Sequence, residues 1–282
     1  LGLGCAAGWA LLRESQASGI YTSSELERAS GLPVVGTIPA FKRRRGEGPF
    51  VPLRDEPEGA AAEAFRALRS NLKFLIQAKG EGTTLAITSS GPAEGKSKTN
   101  VDVALSFAIS GKRVLLVDAD MRRGSVSQYL RIPPQVGLSE ALQGKVDWRE
   151  AVSTPFRETL DVLPAGAVPA SPGDLLDSER AAELIAEMRR TYDLVVFDVA
   201  PVLAVADIEC VATQLDTVLL LCRSSHTTDA VVREAVGRLR QVGANVVATV
   251  LNGVVARRGG GGYGYGYGYG YGTDTGSKGR AA

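Results

Sequence analysis

The sequence predicts an α/β fold, a doubly wound and mainly parallel sheet with helices on both faces. Three observations predict it. From Thr84 onward, short apolar runs alternate with amphipathic helical stretches. The runs are continuous in Val, Leu and Ile rather than alternating with polar residues, as in strands buried on both faces. Of the 282 residues, 44% are hydrophobic, enough for a sizeable core.

Along the chain, Leu1–Leu12 is apolar and rich in small residues, and ends at Arg13. Twelve residues are too few for a bilayer, which needs about twenty, but the end of a membrane helix has this composition, with Trp9 at the interface. Lys42, Arg43, Arg44 and Arg45 then fit a cytoplasmic juxtamembrane segment. Between them, Ser24 and Glu27 have capping-box spacing, and Gly31 and Pro33 stop a short helix. Gly46–Gly59 reads as a Gly/Pro/charge-rich linker. Ala60–Gln77 is helical, with Phe65, Leu68, Leu72 and Leu75 on one face. Strands are expected at Thr84–Thr88, Arg113–Asp118, Leu160–Pro164, Leu194–Asp198, Thr217–Cys222 and Val246–Leu251, with helices at Lys96–Ser110, Pro172–Arg190 and Thr228–Val242. The expected organisation is residues 1–12 as the end of a membrane helix and 13–59 as juxtamembrane segment and linker. The α/β domain then spans 60–256, and a disordered tail 257–282.

Composition excludes several functions. With 32 Lys+Arg against 31 Asp+Glu, the formal charge of +1 argues against a nucleic-acid partner bound by bulk electrostatics. Cys5, Cys210 and Cys222 lack metal or redox spacing, the last two reading as buried thiols. The single His226 leaves no Ser/His or zinc chemistry.

The first expected strand runs into Ser89-Ser90-Gly91-Pro92-Ala93-Glu94-Gly95-Lys96-Ser97 and then a helix. That is the setting of a phosphate-binding loop, and the sheet becomes one of the P-loop NTPase type. Backbone N–H groups between Gly91 and Ser97, other than at Pro92, and the helix N-terminus would cradle phosphates. Lys96 would neutralise the β/γ charge, and the Ser97 hydroxyl would ligate Mg²⁺. Ser90 stands where the general pattern has Gly. The second strand ends in Asp118-Ala119-Asp120-Met121-Arg122, placing two carboxylates at the crevice. One or both can hold Mg²⁺, and either can accept a hydroxyl proton. Asp198 ends a third such strand and would join the Mg²⁺ shell. Asn252 follows the last strand, where its amide would read adenine or form an Asn-Gly turn.

Nine of the 33 Gly and five of the eight Tyr lie between Gly259 and Gly272, with no other residue type. Such a run cannot build a core and is expected to stay flexible, leaving Tyr263, Tyr265, Tyr267, Tyr269 and Tyr271 as accessible phosphoryl acceptors. In a parallel sheet the last strand ends on the phosphate-loop edge. The eight residues from Val255 to Tyr263 reach about 29 Å when extended, enough for a neighbouring subunit's site.

Together these pieces resemble the bacterial tyrosine kinases of polysaccharide export, often fused to a chain-length-determinant membrane domain. The resemblance covers nearly the whole chain. Its loop pattern is matched by Ser89, Pro92, Gly95, Lys96 and Ser97, its Asp-x-Asp-x-Arg motif by Asp118, Asp120 and Arg122, and its later carboxylate by Asp198. Glu63, Arg66 and Arg69 match the Glu-x-x-Arg-x-x-Arg helix that joins subunits into a ring. At three-residue spacing they share a helix face. Gly31–Pro39 and the stretch from Leu163 to Leu176 also look like the family.

The resemblance implies an ATP- and Mg²⁺-dependent protein-tyrosine autokinase at the bacterial inner membrane, its catalytic domain cytoplasmic. Lys96, Asp118, Asp120 and Asp198 would be catalytic, and Arg122 would help bind nucleotide. Partners would be its own copies, the polysaccharide export and polymerisation machinery, and a tyrosine phosphatase. Two departures stand out: Lys98, where Thr or Ser often reaches the α-phosphate, and Val199, where Thr is usual after the carboxylate. The rival readings are an ATPase switch of the division-site or plasmid-partition type and a non-catalytic module retaining the fold. The first usually has an extra loop lysine, absent here.

Overall fold

Strands made of continuous apolar runs have no polar face, so both sides of their sheet must be covered by helices. The computed structural model describes residues 19–41, 49–76, 82–133, 135–155 and 159–255. Its strands are β1 (Val34–Pro39), β2 (Thr83–Ser89), β3 (Val114–Asp118), β4 (Leu160–Leu163), β5 (Leu194–Asp198), β6 (Thr217–Arg223) and β7 (Val246–Val254). They form one sheet in the order β1-β7-β6-β2-β5-β3-β4, and every neighbouring pair is parallel.

The helices are α1 (Ser23–Ser30), α2 (Pro52–Asp55), α3 (Ala60–Leu75), α4 (Lys96–Ile109), α5 (Val126–Leu130), α6 (Leu138–Leu142), α7 (Pro172–Leu176), α8 (Glu179–Thr191), α9 (Asp207–Val211) and α10 (Asp229–Gln241). Alternate residues of each central strand serve opposite faces. Leu115, Val117, Val195 and Phe197 face Leu26, Leu184, Ile208 and Val232 of α1, α8, α9 and α10. Leu116, Val196, Leu85 and Ile87 face Phe65, Leu68, Val101 and Leu105 of α3 and α4. This is the doubly wound arrangement expected, with β2 central between β5 and β6.

The structure extends the sheet beyond residue 60 toward the N-terminus. β1, within the stretch expected to be juxtamembrane segment and linker, pairs with β7 as the edge strand. Its Gly36 lets α3 close in: a Cβ there would meet Leu68 Cδ1 at 2.8 Å. Ile20 and Leu26, nearer still to the N-terminus, are fully buried in the core on the opposite face of the sheet. The strand is short and interrupted by Gly and Pro, so periodicity does not reveal it.

Two caps also differ from expectation. Both Thr22-x-x-Glu25 and Ser24-x-x-Glu27 satisfy the capping pattern, and the chain uses the first. Glu25 accepts the Tyr21 and Thr22 amides, which frees Glu27 to accept the Val34 amide and fix the turn into β1. The helix expected over Pro172–Arg190 divides at Ser178, whose hydroxyl oxygen accepts the Ala181 amide and starts α8. Leu75 ends α3 on its exposed side, and Cys210 is only half-buried. Among the described residues no helix is long and apolar enough to cross a membrane. The expected membrane-helix end, the Lys42–Arg45 cluster and the tyrosine run lie outside the described residues.

Candidate active site

β2 delivers the chain into the phosphate loop, and the loop is built from within by its own carboxylate. Glu94 is buried. It accepts the Ser90 amide at 3.0 Å, the Ser90 hydroxyl at 2.7 Å and the Thr227 hydroxyl at 2.5 Å. Ser90 therefore tolerates the general pattern's Gly position because its side chain turns inward to Glu94. The Glu94 side chain is thus turned into the loop as its internal staple, which leaves only its backbone for a nucleotide.

Strands β6 and β7 hold the loop from outside: Arg223 donates to the Ala93 carbonyl at 3.0 Å and Asn252 Nδ2 to the Glu94 carbonyl at 2.7 Å. Asn252 lies inside β7, not in a turn, and its amide nitrogen serves the loop. Gly95 is obligatory. Its φ is +98°, and a Cβ would lie 2.4 Å from Asn252 Nδ2. The amides after it open α4 toward the crevice.

Five sequence-expected residues converge there. Lys96 Nζ lies 2.8 Å from Asp120 Oδ2, 3.2 Å from Asp198 Oδ1 and 3.2 Å from Ser97 Oγ. Asp118 and Asp198 are register partners at the ends of β3 and β5, so two like charges face each other across adjacent strands. Burial, reinforced by Asp198, pushes the Asp118 carboxyl up to about 8. Burial likewise raises Asp198, against the pull of Lys96. Burial would lower the Lys96 ammonium, but Asp198 and Asp120 outweigh it and hold its pKa above the usual lysine value.

Asp118 Oδ2 accepts the Val126 amide at 3.0 Å, whereas Asp118 Oδ1 and Asp198 Oδ2 are buried without a hydrogen-bond partner among the described residues. Two such orphaned oxygens are expensive unless a cation or its water shell meets them. No three carboxylates among the described residues form a ready metal cage. Mg²⁺ does not require one, being held typically by one or two carboxylates together with phosphates and water. Ser97, Asp118 and Asp198 therefore fit Mg²⁺ delivered with a nucleotide.

A cavity of about 210 Å³ opens beside Lys96, Ser97 and Asp120, with Ala93 and Pro201 on its walls. A larger groove of about 680 Å³ lies between Arg54 and Pro155. It shares none of these residues, and its Arg54 is already engaged by Asp55 and by the Tyr129 and Pro49 carbonyls.

The other expected residues are placed differently. Arg122 turns from the cavity to grip Asp207 with two bonds, of 2.8 and 3.0 Å. Lys98 points into the opposite face of α4, paired with Asp102 at 3.3 Å beneath the Phe41 ring. It therefore makes no α-phosphate contact in this geometry. Val199 is buried in the core. Glu63 and Arg66 pair at 3.0 Å on the exposed side of α3, while Arg69 donates to the Ser106 carbonyl of α4 at 2.8 Å. Residues that sequence reasoning missed include Asn100, which donates to Asp198 Oδ1 at 2.9 Å, together with Thr227 and Asp207. Asn100 sits one helical turn after Lys96 on the strand-facing side. That spacing is the only signal for it.

Comparisons with known proteins agree with this geometry. The AAA domain family matches residues 83–242. The Escherichia coli K12 tyrosine-protein kinase etk is 33% identical over 276 residues, covering 91% of this chain and 38% of that protein. The solved kinase domain of the E. coli enzyme superposes with a TM-score of 0.78, covering 87% of this chain and 99% of that one. The Bacillus subtilis tyrosine-protein kinase YwqD is 34% identical, covering 70% of this chain and 83% of that protein. The septum site-determining protein MinD of Pyrococcus horikoshii, at 20% identity and a TM-score of 0.52, shares the fold alone. The chain spans just over a third of the length of the longer curated relatives it matches. With its loop, its paired strand-end carboxylates and these relatives in agreement, the chain belongs to the bacterial tyrosine-protein kinases.

Proposed function

We propose that this domain transfers the γ-phosphoryl group of ATP to tyrosine hydroxyls, chiefly those of its own C-terminal cluster presented by a neighbouring copy. One observation carries the choice of acceptor. β7 touches the phosphate loop through Asn252 and Glu94, and the chain leaves three residues later at Val255, eight residues before Tyr263. The acceptors Tyr263, Tyr265, Tyr267, Tyr269 and Tyr271 are thus tethered beside the site they would use.

Loop amides and Lys96 bind and orient the phosphates, and Lys96 exchanges its carboxylate partners for phosphate oxygens. Asp120 lines the cavity and is the carboxylate that accepts the phenolic proton. Asp118 lies behind it, and with Asp198 and Ser97 it would hold Mg²⁺. Mg²⁺, when bound, neutralises charge on the β- and γ-oxygens. Pro201 and Ala93 form walls of the cavity beside the largely buried Lys96. In balance, the bond from the γ-phosphorus to the β–γ bridging oxygen breaks and ADP leaves with its electrons. A bond to the tyrosine oxygen forms, and the phenolic proton goes to Asp120.

Lys98 does not argue against catalysis, because its charge is spent on Asp102 and not on the phosphates. We place the domain at the cytoplasmic face of the inner membrane, in a ring of copies joined through Glu63 and Arg66. Phosphate on several tail tyrosines, at roughly −1.5 to −2 charges each, would repel and loosen that ring. This cycling regulates capsule or exopolysaccharide synthesis and export, and a tyrosine phosphatase resets it.

Purified protein with Mg-ATP, probed for phosphotyrosine beside Lys96→Met and a chain ending at Gly262, tests the reading. Phosphotyrosine on the wild type alone supports it. ATP hydrolysis without phosphotyrosine would establish an ATPase switch instead, and neither activity an assembly module.

A further inference from the structure

Two adjacent arginines follow Asp120, and the fold gives them opposite surroundings. The Arg122 guanidinium is bound by Asp207, whose own side chain is buried. The Arg123 guanidinium has no hydrogen bond or ion pair among the described residues, is exposed, and lines the cavity with Lys96, Ser97 and Asp120. Its backbone is held: the Arg123 amide donates to both the Asp120 carbonyl and Asp120 Oδ1, each at 3.1 Å. The preceding residue is locked by Asp207. The Arg123 side chain therefore projects from a fixed turn, with its charge uncommitted.

Charge balance says what that guanidinium meets. The cavity's other cation, Lys96, is shared by two carboxylates at 2.8 and 3.2 Å. A nucleoside triphosphate with one Mg²⁺ still carries about two negative charges, and transfer spreads them over the outer oxygens of the moving group. Arginine suits such oxygens because its planar fork makes two parallel hydrogen bonds.

We infer that Arg123 binds the terminal phosphate of the bound nucleoside triphosphate and stabilises the charge on the group as it moves to the tyrosine oxygen. This rests on the kinase reading for the transfer step, whereas the contact with the terminal phosphate stands without it. Arg122 and Asp207 are then positioning residues for the turn that carries both Asp120 and Arg123.

The test uses Arg123→Gln and Arg123→Lys in the whole chain, beside the wild type. The affinities for ADP and for a non-hydrolysable ATP analogue are measured by displacement of a fluorescent nucleotide, and phosphotyrosine formation is followed in parallel. Arg123→Gln is expected to leave ADP affinity within about twofold, weaken the analogue about tenfold, and slow transfer about a hundredfold or more. Arg123→Lys recovers part of both losses, since it keeps the charge and loses the fork. Equal weakening of ADP and the analogue, or no change in either the analogue's affinity or the rate, overturns the assignment. A wild type that prefers the analogue through Arg123 but forms no phosphotyrosine would refute the kinase reading and leave the phosphate contact standing.

Discussion

Lys96 and Lys98 are two residues apart on α4, both largely buried and both beside aspartates, yet their environments act on them in opposite directions. Burial lowers Lys98, and Asp102, with a smaller contribution from Asp55, only partly opposes this, so its pKa falls. Lys96 faces Asp198, Asp120 and Asp118, and their sum exceeds the burial penalty. The first pair is sealed under Phe41, with Phe50 and Phe65 nearby, and Asp102 also accepts the Leu53 amide at 3.1 Å. The second opens on a cavity and leaves two carboxylate oxygens unmet. A buried ion pair with every group satisfied ties segments together. One with surplus charge and orphaned oxygens is waiting for a ligand.

The largest expected effect tests that contrast directly. Lys96→Met should reduce phosphotyrosine formation by about a thousandfold or more, because it removes the cation that meets the phosphates. Lys98→Met should leave the rate within about tenfold. A Lys98→Met rate as low as that of Lys96→Met would show that the two sites are not distinct.

Next, Asp207→Asn frees Arg122 and lets the turn bearing Asp120 and Arg123 shift. The expected loss is about tenfold to a hundredfold in kcat, with ADP affinity nearly unchanged. The Arg122→Ala/Asp207→Asn double variant should be no slower than the worse single one. Additive losses would dissolve the proposed clamp.

The third test is of pH and stability. Burial pushes the Asp102 carboxyl up to about 6 against an ordinary value of 3.8. The folded state therefore binds this proton more tightly than the unfolded chain. Its stabilising contribution is complete below about pH 3.8 and is lost as pH rises through 6, by up to about 3 kcal/mol for two pH units. Urea unfolding of Asp102→Asn between pH 4 and 7 should show a flatter profile than the wild type. Parallel profiles would mean that Asp102 is not the group responsible.

The smallest effect concerns the loop's staple. Thr227→Val removes one donor from buried Glu94 and should cost about 1–2 kcal/mol of stability. Nucleotide affinity should fall only a few-fold, as measured by fluorescent ADP titration. An unchanged midpoint of unfolding would indicate that Ser90 alone satisfies Glu94.

Much of the site is legible from local pattern. Strand, Gly-Lys-Ser and helix follow one another within a few residues, so their geometry is set by short-range rules. Asp118 and Asp198 each end a continuous apolar run, and parallel pairing brings such ends to one edge. What escapes is whatever depends on a partner far along the chain. Glu94 reads as a loop residue facing the nucleotide until Thr227, 133 positions later, claims it. Arg122 and Arg123 are indistinguishable as neighbours in the sequence, and only Asp207, 85 positions past Arg122, separates their roles. The edge strand β1 is missed because Gly36 and Pro39 weaken its pattern, and its stability comes from pairing with β7.

By itself the sequence determined the doubly wound fold class, the phosphate loop, the carboxylates at and just past two strand ends, and the tyrosine run beyond the last strand. Each of these is written in the periodicity or spacing of a few consecutive residues. The tertiary structure alone decided which charges answer one another. Lys96 is set among carboxylates at an open cavity, Lys98 is sealed with Asp102, Arg122 is spent on Asp207 and Arg123 has no partner among the described residues. The physical reason is range: backbone preferences act over a turn or a strand, whereas the pairing and burial of a charge depend on groups brought together only when the sheet closes.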